Sequence, residues 1–152
     1  MPSSPNRRPN HPGNLMKITL LVMSKNELLG LKEIMPRIDR EWIDQILIVD
    51  GNSTDGSVEW AISQGYSVYV QKRQGFRQAY EEVWPLIKGD AVITFSPDGN
   101  SIPELVPELV SKIKEGYDMV IVSRYLGNTK SYDDTLVSAI GNWIFTKSIN
   151  IF

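Results

Sequence analysis

An α/β fold with a mostly parallel sheet is what this sequence predicts, on three observations. Five short runs rich in valine and isoleucine recur along the chain, the segments between them carry apolar residues at helical spacing, and small, acidic and basic residues gather directly after the runs. Continuous rather than alternating apolar runs are how strands read when both faces of a sheet are covered. Strand and helix in alternation imply right-handed crossovers, and ligands of such sheets sit beyond the carboxyl ends of the strands.

The elements follow in order. Residues 1–15, "MPSSPNRRPNHPGNL", hold four of the nine prolines and no apolar run, so they read as a disordered leader ahead of a domain over 16–152. Met16 would itself serve as a translation start. "KITLLVM" (17–23) is the first strand. Residues 26–35 carry Leu28, Leu31, Ile34 and Met35 on one side, and Pro36 stops that helix. "QILIVD" (45–50) is the second strand, 57–64 a short helix and "YSVYVQ" (66–71) the third strand. Residues 76–88 offer Ala79, Tyr80, Val83, Leu86 and Ile87 at helical spacing, with Pro85 interrupting the last turn. "AVITFS" (91–96) is the fourth strand. Leu105, Val106, Leu109, Val110 and Ile113 mark a helix over 103–115, ended by Gly116. "DMVIVS" (118–123) is the fifth strand. Leu136, Ile140, Trp143 and Ile144 then repeat at helical spacing, either as an interfacial helix at a membrane or as a core or partner-packing helix.

Composition removes several classes of function. The net charge of -2 gives no basic field to hold nucleic acid. With no cysteine and a single histidine, His11 in the leader, disulfides, thiolate nucleophiles, histidine triads and cysteine or histidine zinc sites are excluded. No stretch reaches the ~20 apolar residues that a membrane span needs. Neither a GxGxxG fingerprint nor a P-loop is present, which counts against dinucleotide and NTPase readings. A nucleotidyltransferase would want a glycine-rich, basic loop after the first strand, and "MSKNE" (23–27) lacks the glycines.

The strand ends hold the candidate chemistry. In "DGNSTDGS" (50–57), Asp50 closes a buried strand and needs hydrogen-bond donors, which a base N–H or ribose hydroxyl would supply. Asp55 can cap the next helix, while Gly51 and Gly56 allow tight turning and close backbone approach. A plain βα loop would use the same residues. In "SPDGNS" (96–101), Asp98 and Asn100 are oxygen donors two apart, suited to a hard cation bridging phosphate oxygens; a Pro-Asp-Gly turn is the plainer reading. Arg77, after Gly75 at a helix start, and Arg124, after the fifth run, could each meet a phosphate or simply face solvent.

Taken together, "KNE", "VDGNSTDGS", "RQGFRQAY", "ITFSPDGNS" and "VSRY" resemble, in this order, the GT-A glycosyltransferases of family 2, above all the dolichol-phosphate mannosyl- and glucosyltransferase-like branch. The resemblance spans about residues 16–145. It implies a three-layer, Rossmann-like α/β/α domain and transfer of a sugar from a UDP- or GDP-linked donor to an acceptor such as a polyprenyl phosphate. By position it implies that Asp50 contacts the base and Glu27 lies near base and ribose. Asp98 would bind Mg²⁺ or Mn²⁺ with Asn100 beside it, and Arg124 would lie near the donor phosphates. Two departures stand out. Ser96 replaces the first acid of the family's Asp-x-Asp pair, and the chain stops at "GNWIFTKSINIF", short of the family's full catalytic domain. A module that binds nucleotide sugar without turnover is the rival reading. Asp133 and Asp134 are the candidate bases for a hydroxyl acceptor. The resemblance further implies a cytoplasmic protein of cell-envelope synthesis, in peripheral contact with the inner face of a membrane and able to form homo-oligomers.

Overall fold

The computed structural model describes residues 16–122. The backbone divides into one unit ending at Val120 and another beginning at Ile121. The elements below belong to the first unit. Strands β1 (Ile18–Ser24), β2 (Gln45–Asp50), β3 (Ser67–Val70) and β4 (Ala91–Phe95) form one sheet in the order β3-β2-β1-β4, every neighbouring pair parallel. Helices α1 (Leu28–Ile34), α2 (Ser57–Ser63) and α3 (Phe76–Val83) fill the three crossovers, and α4 (Val106–Lys114) follows β4.

The continuous apolar runs are explained by burial on both faces. In β1, Ile18, Leu20 and Val22 join Leu31 and Ile34 of α1, Ala61 of α2 and Val106 and Val110 of α4 in one core. Leu21 points the other way and meets Leu47, Val49 and the Ala79 and Val83 pair of α3. Alternate side chains of one strand thus feed opposite cores, and the domain has three layers. The helices are seven to nine residues long, too short to persist alone, so tertiary packing holds them.

Proline sets several helix ends. Pro36 and Pro85 each sit in a 3-10 turn, Met35–Arg37 and Trp84–Leu86, that finishes the helix before it. The helical spacing read through residue 88 therefore stops being α-helical at Val83. Pro103 opens a 3-10 turn that leads into α4, whose first turn holds Pro107. Gly30 of α1 rests on the loop after β4: a Cβ there would overlap the Pro97 carbonyl oxygen.

One predicted element is absent. Among the described residues, 118–122 form no strand, and Met119 and Ile121 are each 73% exposed. Apolar content signals a tendency to pair, but a run becomes a strand only where a neighbouring ladder receives it. The predicted tail helix, Arg124, Asp133 and Asp134 lie outside the described residues. Among the described residues no helix is long and apolar enough to cross a membrane.

Candidate functional site

Parallel pairing puts every strand's carboxyl end on one rim. Ser24 sits beside Asp50, Asp50 beside Val70, and Val22 beside Phe95. The loops that leave these positions therefore converge.

The stretch 50–57 is a clamp. Asp50 is 1% exposed, and its carboxylate accepts from the Ser53 N–H at 2.8 Å and from the Ser53 hydroxyl. The loop is sewn to the β1–α1 loop by Asn26 N–H to Ser53 Oγ at 2.8 Å, Thr54 N–H to Asn26 Oδ1 at 2.8 Å, and Leu28 N–H to Asp55 Oδ2 at 3.0 Å. Asp55 also accepts from the Ser57 N–H and hydroxyl, at 3.0 and 2.6 Å, and that hydroxyl above all holds its pKa below the ordinary range. Asn26 and Asn52 take positive φ of 55° and 64°, which asparagine accepts more readily than most residues. Asn52 then donates through Nδ2 to the Gln71 carbonyl at 2.8 Å, reaching the third loop.

Glu82 of α3 organises that third loop. It accepts from Lys72 N–H at 2.8 Å, Arg73 N–H and Nε each at 3.0 Å, and Tyr69 Oη at 3.2 Å. These donors, the Lys72 amide first, hold Glu82 below the ordinary carboxylate range. The buried Gln71 donates through Nε2 to the carbonyls of Gly75, at 2.7 Å, and Arg73. Gly75, at φ 112°, opens α3. Arg77 is 86% exposed and pairs with Glu81 at 2.8 Å.

Between these loops lies a cavity of about 760 Å³, large enough for a drug-sized ligand. Met23, Val49, Phe76, Tyr80 and Phe95 supply its apolar wall. Ser24, Lys25, Glu27, Asn52, Gln71, Ser96, Asp98 and Ser101 supply polar groups, and Gly51 and Gly75 supply backbone. A second cavity of about 350 Å³, between α1 and the loop from Pro97 to Pro103, shares Glu27 and Asp98. Asp98 Oδ1 accepts from the Asn100 N–H at 2.9 Å. Burial, then Asp98, then Asp55 push the Glu27 carboxyl up.

Of the residues expected to act, the fold brings Glu27, Gly51, Gly75 and Asp98 to the cavity. Asp50 and Asp55 serve the clamp beneath it, and Arg77 lies outside its lining. Asn100 lends Asp98 its backbone N–H and is exposed. Gln71 and Glu82 carried no sequence signal beyond following or facing the third run. Ser24 carried none either, and among the described residues its Oγ is the buried side-chain polar atom without a partner.

The presence of Glu27 and Asp98 in one cavity bears on the metal that the fold family implies. Among the described residues no group of three acidic or histidine side chains could enclose an ion. Among the described residues neither carboxylate is paired with a lysine or arginine, and their mutual repulsion is what a divalent cation would relieve. The residues therefore fit an ion held partly by the protein and partly by ligand phosphates, the arrangement a hard cation prefers.

Many doubly wound folds have a parallel, three-layer sheet with its cavity at the strand ends; here solved glycosyltransferase structures superpose on it, which makes the fold GT-A. One is glucosyl-3-phosphoglycerate synthase of Mycobacterium tuberculosis in complex with Mn²⁺, UDP and glucosyl-3-phosphoglycerate, with a TM-score of 0.60 at 22% identity over 72% of this chain and 47% of that one. The chain belongs to glycosyl transferase family 2, whose sequence profile matches residues 21–152. It is similar to the dolichol-phosphate mannosyltransferase of Pyrococcus furiosus, 30% identical over 88% of this chain and 38% of that protein. It is also similar to the glycosyltransferase AglJ of Haloferax volcanii, 28% identical over 86% of this chain and 43% of that protein. A third relative is the undecaprenyl-phosphate 4-deoxy-4-formamido-L-arabinose transferase of Salmonella choleraesuis, 28% identical over 70% of this chain and 36% of that protein. The chain thus spans less than half the length of these curated relatives.

Proposed function

We propose that residues 16–152 bind a nucleoside-diphospho-sugar and serve transfer of its sugar to a polyprenyl phosphate. The observation that carries this reading is the strand-end cavity, whose lining combines the Glu27 and Asp98 carboxylates with the apolar and aromatic side chains of Met23, Val49, Phe76, Tyr80 and Phe95, in a chain of this family. The names of the curated relatives favour a lipid-phosphate acceptor.

In this reading the aromatic and apolar wall takes the base, and Gly51 and Gly75 let backbone approach the ligand closely. Asp98, steadied by the Asn100 amide, holds Mg²⁺ or Mn²⁺ with Glu27 near it, and Ser96 and Ser101 offer neutral oxygens. When bound, the cation offsets charge growing on the departing diphosphate. The chain's part is to hold these groups in place beforehand, so that little reorganises as charge moves. An anionic acceptor phosphate is already a nucleophile and needs no base from the protein. Peripheral attachment to the cytoplasmic face of a membrane would bring the site to such an acceptor.

Thermal-shift titration with UDP- and GDP-sugars, with and without Mn²⁺, tests the reading. At a hundred times Kd a ligand adds about 2.7 kcal/mol to stability. Wild type should shift with one of the two series, and Asp98→Ala should lose the Mn²⁺-dependent part. No shift with any nucleotide sugar overturns the reading. Ser96, standing where the family has an acid, favours one alternative, a module that binds donor without turnover. Donor binding without transfer to polyprenyl phosphate would establish that alternative.

A further inference from the structure

Among the described residues, three charged side chains line the larger cavity: Lys25, Glu27 and Asp98. The carboxylates outnumber the cation, although the proposed ligand brings a diphosphate with further negative charge. The arginines of the neighbouring loop are committed elsewhere. Arg73 pairs with Glu81 at 3.2 Å and Glu82 at 3.0 Å, Arg77 pairs with Glu81, and neither lines the cavity.

Lys25 differs from both. It makes no hydrogen bond or ion pair with the described residues. Its stem lies along the bare face of Gly51, where a Cβ would come within 3.3 Å of the Lys25 Cβ and Cδ. A side chain at position 51 would press on that stem, so the glycine at the end of β2 helps set where the lysine runs. An exposed lysine is ordinarily a solvated one. Here a packed stem, a place in the cavity wall and the absence of a protein counter-ion occur in the one cation the described lining holds.

We propose that Lys25 is the cavity's own counter-charge for the diphosphate of its ligand, which deepens the nucleotide-sugar reading above and rests on it. An ammonium offers three donors as a compact point charge. It contributes most when no divalent cation is bound, because the carboxylates then face the diphosphate uncompensated. Lys25 thereby carries part of the role that the missing acid at Ser96 takes from the metal site.

Calorimetry on the full chain tests this with UDP and GDP, and ligand-detected NMR measures uridine and guanosine, each in EDTA and in Mn²⁺. Lys25→Ala should weaken the preferred nucleoside diphosphate about tenfold in EDTA, the loss of one charge-assisted contact, and less in Mn²⁺. Affinity for the matching nucleoside should not change. Lys25→Arg should retain most of the binding, and Lys32→Ala, an exposed lysine of α1 outside the cavity, should match wild type. Equal weakening of nucleoside and diphosphate would make Lys25 a base or ribose contact and overturn the proposal, as would unchanged diphosphate binding. A wild-type chain that binds neither diphosphate overturns the nucleotide-sugar reading itself.

Discussion

Ser24 shows how much a single atom can reveal about this rim. Its hydroxyl is buried at the end of β1, beside Asp50, with no partner among the described residues. Leaving a buried polar group unpaired usually costs about 1–3 kcal/mol, so Ser24→Ala removes a penalty and only a small volume. The variant should be as stable as wild type or up to about 1 kcal/mol more stable, read as an unchanged or raised Tm. A clear drop in Tm would mean that the hydroxyl has a partner in solution. Asp50 makes the opposite case. Its type and place were legible, since a carboxylate closing a buried strand must find donors, but the sequence could not say which. Ser53, three residues on, supplies both. A ligand contact and a loop staple need the same residue, and a carboxylate that accepts from Ser53 keeps acceptor positions for a ligand.

The loops show the same ambiguity at the level of elements. "DGNSTDGS" was readable as chemistry at a strand end, and its convergence with the β1–α1 loop followed from parallel pairing. Its reciprocal bonding with Asn26 and Leu28 was hidden, because those partners lie 27 and 28 residues away in sequence. The β3–α3 loop depends on Glu82 in a comparable way. Four donors converge on a side chain only 9% exposed, and they hold its pKa below the ordinary glutamate value of 4.5. A depressed folded-state pKa contributes stability that is fully present above the unfolded value and is lost as pH falls through the folded one. Glu82→Gln removes that contribution at all pH, since an amide cannot accept from all four donors. At neutral pH the variant should melt below wild type. The gap should close as pH falls below 4.5, because wild type then loses the same interaction by protonation. Melting curves of both proteins across that range read the effect. A gap that stays constant into acid would show that the carboxylate's charge is not what holds the loop.

Across the whole molecule, the fold was legible where hydrophobic pattern determines burial and illegible where it depends on a neighbour. Four of the five apolar runs became strands within a residue or two of their predicted bounds, because each can bury both faces against helices whose own spacing was visible. The fifth run has the same composition, yet residues 118–122 join no ladder among those described. Apolar content cannot name a pairing partner. The same asymmetry sets a gradient of stability. β1 is hydrogen-bonded on both sides by β2 and β4, and Leu20, Leu21 and Val22 are fully buried. Among the described residues β3 pairs on one side only, with four residues, and its Val70 is 43% exposed. Local opening should therefore begin at β3 and reach β1 only with global unfolding. In native-state hydrogen exchange the slowest amides of β1 should outlast those of β3 by a factor of about ten or more, roughly 1.4 kcal/mol or more in opening free energy. The Gln71 amide, bonded to the Asp50 carbonyl at 2.8 Å just past β3, should exchange with β3 unless a ligand is bound. Nucleotide binding should slow it, since the cavity that Gln71 lines would then be filled. Equal protection in β1 and β3 would mean that the domain opens only as a unit, with its rim no looser than its centre.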